Sequence, residues 1–191
     1  MATPVRTRAR RWLGGSAPPG PGATIHGSAR LGRRTKQLVK RLEAGDVAII
    51  DHADLDRIAA EDLVATGVPA VVNVSPFSTG RYPNAGPLIL ARAGVRLIDA
   101  PAAPLFEELK DGDPVAIVGG EVRRNGTVLA AGRVLTPPEL AEQLSEHRRR
   151  IDEALASFAE NTITHLRQEG SSWRGGWSCR ALARCSATAT C

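Results

Sequence analysis

The sequence is poor in aromatic residues and contains no long apolar run. Aromatic side chains make up 4% of the 191 residues, so a core must be built mainly from aliphatic side chains. No run of about 18 apolar residues occurs, which excludes a membrane-spanning helix. The arginine-rich start also lacks the apolar segment of a secretory signal. These absences predict a cytoplasmic protein with no direct membrane span.

Cysteine is absent until the last 13 residues, which contain Cys179, Cys185 and Cys191. Their spacing of six fits no common zinc pattern, and no histidine lies among them. The rest of the chain therefore offers no Cys-His pair. It also lacks a G-x-S-x-G elbow, a P-loop and a G-x-G-x-x-G turn. We accordingly predict no catalytic residue, no metal and no cofactor in this chain.

Positive charge is concentrated at the two ends. The formal net charge is +5, yet residues 1–170 carry 22 basic and 20 acidic side chains. A nucleic-acid-binding domain needs a basic face on the domain itself, so the charge distribution argues against a nucleic-acid partner. The four arginines among the first eleven residues are typical of a solvated, disordered leader, which we place at residues 1–22.

The last segment, residues 171–191, differs in character from the chain before it. It holds every cysteine and two of the three tryptophans, and it shows no periodicity. Codons for Cys and Trp both begin with TG. Read one base earlier, each becomes a codon that ends in TG, so every Cys and Trp of this segment becomes Leu, Val or Met. We interpret the segment as an aberrant tail produced by a frameshift near the Gly170 codon. The alternative is a genuine disordered tail.

The middle of the chain alternates between short apolar runs and helical patterns. "DVAII", "VPAVVNV" and "VRLID" predict buried strands, and each is followed or preceded by a helical segment. Asn125-Gly126 predicts a type I′ hairpin turn in a final β-meander. We expect the helix after "DVAII" to be capped by Asp51 or by Ala53–Asp54. The pattern predicts an α/β domain over residues 23–135.

The loop "STGRYPNAGP" joins the strand "AVVNV" to a helix and is the strongest candidate site. Arg81 and nearby backbone N–H groups could bind an anion, and Asn73 and Asn84 could hydrogen-bond a polar ligand. The loop contains Tyr82 and Gly86 as well. The alternative is a rigid turn fixed by its Pro and Gly residues, with Tyr82 packed over the sheet.

An acidic cluster follows the strand "DVAII", at the edge where α/β sheets often bind ligands. Its members could form a metal or acid/base site, but the aspartates also suit the start of a helix. We favour the helix start. The cluster consists of Asp51, His52, Asp54 and Asp56.

A long amphipathic helix is predicted for residues 136–170, beginning at two prolines. An apolar stripe recurs along it at spacings close to a heptad. The stripe either packs on the helix's own domain or binds a partner helix. The residues that we assign to a partner-binding face are Leu144, Ile151, Leu155 and Phe158.

Residues 24–170 resemble the N-terminal part of the SteA-like family, actinobacterial proteins associated with the cytokinetic ring. The most specific matches are "GDVAIIDHADLDR" and "STGRYPN". Members of that family continue into a domain similar to thiamine pyrophosphokinase and then a hydrophobic, membrane-associated end. The resemblance implies that this chain lacks both, together with any ATP and Mg²⁺ that the missing domain would bind.

The resemblance implies a non-catalytic module of a cell-division protein at the septum. It would act by protein–protein interaction, with a division-associated membrane protein or a second copy as partner of the long helix. The alternative is a fragment of a thiamine-pyrophosphokinase-like enzyme that lacks its catalytic domain. A third hypothesis is a small-molecule or phosphate-binding domain that uses the Arg81 loop.

A looser resemblance concerns the fold. "GDVAIIDHADLDRIAAEDLVATGVPAVVNV" and the segments after it look like the swivelling phosphohistidine domain of PEP-utilising enzymes. That family carries a reactive histidine just before the helix that corresponds to "LILARAG". Here the corresponding residues are Asn84, Ala85 and Gly86, so phosphohistidine chemistry is not expected. The resemblance implies an α/β fold of the swivelling β/β/α type, with the long helix at its end.

Overall fold

The computed structural model describes residues 23–173, with side chains described as far as residue 168. The leader 1–22 and residues 174–191 of the predicted tail lie outside this range. Within it, the strands are β1 Ile25–Gly32, β2 Val47–Ile50, β3 Ala70–Asn73, β4 Arg96–Asp99, β5 Pro114–Val118, β6 Glu121–Arg124, β7 Thr127–Ala131 and β8 Arg133–Leu135. The helices are α1 Thr35–Leu38, α2 Arg57–Thr66, α3 Gly86–Arg92, α4 Leu105–Glu108 and α5 Pro137–Trp173. A 3₁₀ turn, Val39–Arg41, follows α1.

All eight strands form one mixed sheet in the order β7-β6-β5-β1-β2-β3-β4-β8. Strands β1 to β4 run parallel to one another, joined by connections that contain α1, α2 and α3. The remaining pairs are antiparallel. Short helices between parallel strands are the expected crossover connections, and the predicted α/β class is confirmed.

The two ends of the sheet come together because β7 and β8 are separated only by Gly132. One residue spans at most about 3.6 Å, so the outermost strands of the order must be adjacent in space and the sheet must curl. The Gly132 N–H donates to the Gly120 carbonyl at 2.9 Å. A Cβ atom on Gly132 would lie 2.7 Å from the carbonyl oxygen of Asp99, so only glycine fits where these backbones meet.

Successive residues of the parallel strands enter two different cores, as the period of two in a strand requires. Ala48 and Ile50 pack with α1, α2, α3 and the first turns of α5. Val47 and Ile49 pack instead with α4 and with the antiparallel strands β5 to β7. The parallel strands are therefore covered by helices on one face and by antiparallel strands with α4 on the other. This layering agrees with the β/β/α prediction.

Turn and cap residues explain most of the element boundaries. Asn125 and Gly126 have φ angles of 50° and 83°, and the predicted type I′ turn is confirmed. Gly67 ends α2 in the left-handed conformation, with φ 77°. The predicted cap of α2 was wrong, because Asp56 caps the helix by accepting from the Ala59 N–H at 2.8 Å. Residues 51–55 form a loop instead.

Helix α5 belongs to two compact units, one that ends at His147 and one that begins at Arg148. Thr136 precedes the helix, and both its N–H and its hydroxyl donate to Glu139 Oε2, at 3.1 and 2.8 Å. These hydrogen bonds hold the pKa of Glu139 below its usual value. In the first unit, Leu140 and Leu144 are buried in the helix-covered core.

Candidate functional site

The carboxyl ends of β2 and β3 are joined by the buried side chain of Asn73. Its Oδ1 accepts from the backbone N–H of His52 at 3.1 Å, and its Nδ2 donates to the carbonyl of His52 at 2.8 Å. Oδ1 also accepts from the N–H of Ser75 at 3.1 Å. One side-chain amide therefore satisfies three backbone groups where the chain leaves the sheet. Asn73 fixes the bend at Asp51–His52 rather than facing a ligand.

Asp51 directly follows β2, and both of its carboxylate oxygens accept hydrogen bonds from residues that follow the neighbouring strands. Its Oδ1 accepts from the Ser75 hydroxyl at 2.6 Å, and its Oδ2 accepts from Arg33 Nη1 at 2.7 Å. The Arg33 guanidinium also lies over the ring of Phe106, with Cζ 4.6 Å from the ring centroid. The carboxyl ends of β1, β2 and β3 are thereby joined by one polar cluster, since Arg33 directly follows β1.

His52 is held through its ring as well as its backbone. Its Nδ1 lies 2.9 Å from the hydroxyl of Thr35, a buried residue at the start of α1. The two aspartates that follow have other partners. Asp54, at φ 53°, accepts from the Thr79 N–H at 2.6 Å and the Thr79 hydroxyl at 2.7 Å, and Asp56 caps α2.

The four predicted cluster residues therefore serve separate contacts instead of converging on one point. Asp51 contacts Arg33 and Ser75, His52 contacts Thr35, and Asp54 contacts Thr79. In the part of the chain that the structure describes, no group of three or more His, Cys, Asp or Glu side chains could hold a metal ion. Sequence reasoning missed Arg33, Thr35, Ser75 and Phe106. The signal for the first two was the polar run "RRT" directly after β1.

Two clefts lie at this edge of the sheet and share Arg33 and Asp51. The first cleft, of about 540 Å³, also involves Arg34, Lys36, His52 and residues of α2. The second cleft, of about 440 Å³, is bounded by Val74 and by residues 102–107. Both volumes suit a small molecule. Neither cleft includes a residue of the 78–87 loop in its lining.

The side chain of Asn84 connects the two ends of the 78–87 loop by hydrogen bonds. Asn84 Nδ2 donates to the Phe77 carbonyl at 3.0 Å, and Asn84 Oδ1 accepts from the Gly86 N–H at 3.0 Å. A Cβ atom on Gly86 would lie 2.0 Å from the Leu55 carbonyl oxygen, so glycine permits the close approach of these backbones. These contacts make Asn84 and Gly86 structural elements of the loop.

Arg81 and Tyr82 form the exposed part of the same loop. Tyr82 is 69% exposed, so the alternative prediction that it packs over the sheet was wrong. The Arg81 side chain makes no hydrogen bond or ion pair with any residue in the described part of the chain. The ligand or partner role of these two side chains stays a prediction. The structure does not bring them together with Asn73, whose side chain is bonded at the sheet edge.

Asp99 ends β4 at the same edge of the sheet. Burial raises its pKa above the ordinary value, while the Phe77 N–H and the charge of Arg133 act in the opposite direction. The Phe77 N–H donates to Asp99 Oδ1 at 3.3 Å. Asp99 therefore fixes the start of the loop after β3.

The predicted partner residues of α5 differ in exposure. Leu144 is 8% exposed and belongs to the core of the first unit, so it cannot face a partner. In the second unit, Leu155 is 60% exposed and Phe158 is 69% exposed, and Ile151 is partly exposed. Within residues 23–173, no helix is long and apolar enough to cross a membrane.

No protein-family model and no curated protein matches this chain. Two solved structures are similar to part of it. One is 3-isopropylmalate dehydratase (leuD) from Methanocaldococcus jannaschii, at 17% identity and a TM-score of 0.40, over 69% of this chain and 99% of the other. The second is RraAS2 from Streptomyces coelicolor, an unusual member of the RNase ES inhibitor RraA family. Its identity is 14% and its TM-score 0.37, over 73% of this chain and 77% of the other. At these TM-scores the likeness supports neither a common family nor a common function.

Proposed function

We propose that this chain is a non-catalytic interaction module of a SteA-like cell-division protein, and that the second half of α5 is its partner-binding element. The observation that carries the proposal is the exposed apolar stripe after His147. Leu155, Phe158 and Leu166 are each at least 60% exposed. Their spacing places all three on one side of the helix, so together they form one exposed apolar stripe. Exposed apolar stripes of this kind are typical of helices that bind another helix.

The contacts at the sheet edge are compatible with a structural role for the acidic residues. Asp51, Asp54 and Asp56 accept hydrogen bonds that fix loops and a helix end. We infer that the α/β unit holds the first part of α5 in place. The proposed partner is the cytoplasmic part of a division-associated membrane protein, and the septum is the proposed location.

The test compares charge substitutions on two sides of the same helix. Leu155→Asp and Phe158→Asp each put a carboxylate into the apolar stripe. We expect either change to weaken partner binding at least about tenfold, because a buried, unpaired charge is strongly unfavourable at an interface. Pull-down with division-associated membrane proteins, and the mass in solution measured by light scattering, give the readouts.

Ser157→Asp is the matched control, since this exposed residue lies on a different side of the helix and gains the same charge. Binding that survives Leu155→Asp and Phe158→Asp unchanged would contradict the proposal. A mass that falls from dimer to monomer in the two variants, without any captured partner, would identify a second copy as the occupant.

A further inference from the structure

The two clefts at the sheet edge meet at a pre-positioned arginine. Arg33 is held on one side by Asp51 and on the other by the Phe106 ring. Asp51 is itself fixed by Ser75. The Arg33 side chain nevertheless remains 66% exposed. Among the described residues, Nη1 is the only nitrogen of this guanidinium that donates to a protein acceptor. The remaining N–H groups are oriented by the protein and donate to none of the described residues.

Two further cations line the first cleft beside Arg33. Arg34 and Lys36 are exposed, and no ion pair or hydrogen bond within the described chain involves their side chains. Three cationic side chains within four residues thus border one cleft. Lysine and arginine side chains in this arrangement suit a group with more than one negative charge, such as phosphate.

Residues of α2 also line the first cleft and bring a different chemistry. They contribute the apolar side chain of Ile58, which is 72% exposed, and the carboxylate of Asp62. Asp51 and Asp56 also line the cleft, but they accept hydrogen bonds from Arg33 and from the Ala59 N–H. These acceptors would repel a bare anion and would favour a ligand with hydroxyl or amino donors away from its phosphate.

A strained backbone borders the second cleft. Ala102 adopts φ 61°, a left-handed conformation that is unfavourable for a residue with a Cβ atom, and its N–H donates to the Val74 carbonyl at 2.9 Å. Such conformations cluster at ligand sites. The strained segment leads into α4, which carries the Phe106 ring beneath Arg33.

We propose that this edge binds a small organic phosphate whose organic part carries hydroxyl or amino groups. Arg33, with Arg34 and Lys36, would bind the phosphate group. Asp51 and Asp62 would accept hydrogen bonds from the organic part, and Ile58 would cover its apolar surface. The proposed site is independent of the exposed helix stripe, and it differs from the Arg81 loop considered above.

The experiment is a titration of the full 191-residue chain with three probes, followed by backbone amide NMR shifts. The probes are inorganic phosphate, ribose 5-phosphate and ribose. We expect ribose 5-phosphate to bind more tightly than inorganic phosphate, and ribose to cause no shift. The shifts should be largest at residues 33–36 and 51–52. Arg33→Ala should weaken ribose 5-phosphate binding about tenfold or more, because charged hydrogen bonds are lost.

Arg92→Ala is the matched control, since this exposed arginine at the end of α3 lines neither cleft. Arg33→Lys keeps the charge without the planar fork and should give an intermediate affinity, which also covers the case in which Arg33→Ala fails to fold. The proposal is wrong if no amide at residues 33–36 or 51–52 shifts at about 10 mM ribose 5-phosphate, a concentration that detects millimolar affinity. It is equally wrong if Arg92→Ala weakens binding as much as Arg33→Ala does.

Discussion

The two parts of α5 have similar apolar spacing and opposite environments. Before His147, Leu140 and Leu144 are buried under the α/β unit. After Arg148, Leu155 and Phe158 recur at comparable intervals but are exposed. The same helical periodicity therefore indicates an apolar face in both parts, while it does not say what covers that face. Burial depends on whether another element of the chain lies beside the helix.

The largest expected effect is on the first part of the helix. Leu144→Ala removes a buried side chain from a packed core and should lower the free energy of unfolding by about 2–5 kcal/mol. Leu155→Ala, the same change in the exposed part, should alter it by no more than about 0.5 kcal/mol. Urea unfolding followed by circular dichroism measures both. Equal losses in the two variants would show that the second part is packed as firmly as the first.

The next effect concerns the hydroxyl group that precedes the helix. Thr136→Ala removes the hydrogen bond to Glu139 and should destabilise the first unit by about 1 kcal/mol. Thr162, in the exposed part, donates its hydroxyl to the Phe158 carbonyl within the same helix. Thr162→Ala should change stability by less than about 0.5 kcal/mol. If Thr162→Ala lowers the free energy of unfolding as much as Thr136→Ala does, the Thr136 hydroxyl has no special role at the start of the helix.

The smallest expected effect is a change in pH dependence at Asp99. Burial raises the pKa of Asp99 in the folded state, so the stability that its protonated form contributes is complete below the ordinary value of 3.8. That contribution is lost as pH rises through the raised pKa. Asp99→Asn keeps an acceptor for the Phe77 N–H and removes the titration. The variant should therefore gain stability relative to the original chain as pH rises through this window.

Asp152→Asn is the control for that experiment, because Asp152 is an exposed residue of the second part of α5. Unfolding midpoints measured from pH 3 to pH 7 in steps of about half a unit would resolve the window around the carboxyl pKa. A constant difference between Asp99→Asn and the original chain across this range would show that Asp99 titrates alike in both states.

Local sequence signals predicted much of the fold. The buried strands, the Asn125-Gly126 turn, Gly67 and the start of α5 all depend on neighbouring residues, and the structure has each of them. The cap of α2 was assigned too early because several aspartates precede that helix, and tertiary contacts decide which of them is the cap. Asp54 instead turns toward Thr79, which is distant in sequence.

The polar cluster at the sheet edge could be predicted only in part. Asp51 and His52 stood out because they follow a buried strand directly. Their partners Arg33, Thr35 and Ser75 follow other strands, and nothing in the spacing of a single sequence shows which strand ends become neighbours. The curl of the sheet and the position of β1 determine those contacts. The role of the loop at Arg81 and Tyr82 remains a prediction for the same reason.

The central position of β1 has a consequence for how the chain folds. Ile25 pairs with Ile117, about 90 residues later, while Ala29 pairs with Val47 on the other side of the same strand. Strand β1 therefore waits for one of its neighbours until most of the unit has left the ribosome. Contacts between such distant residues slow folding. Deleting β1 would remove the pairing partner of both β2 and β5, so the α/β unit cannot lose this strand without losing two strand pairs.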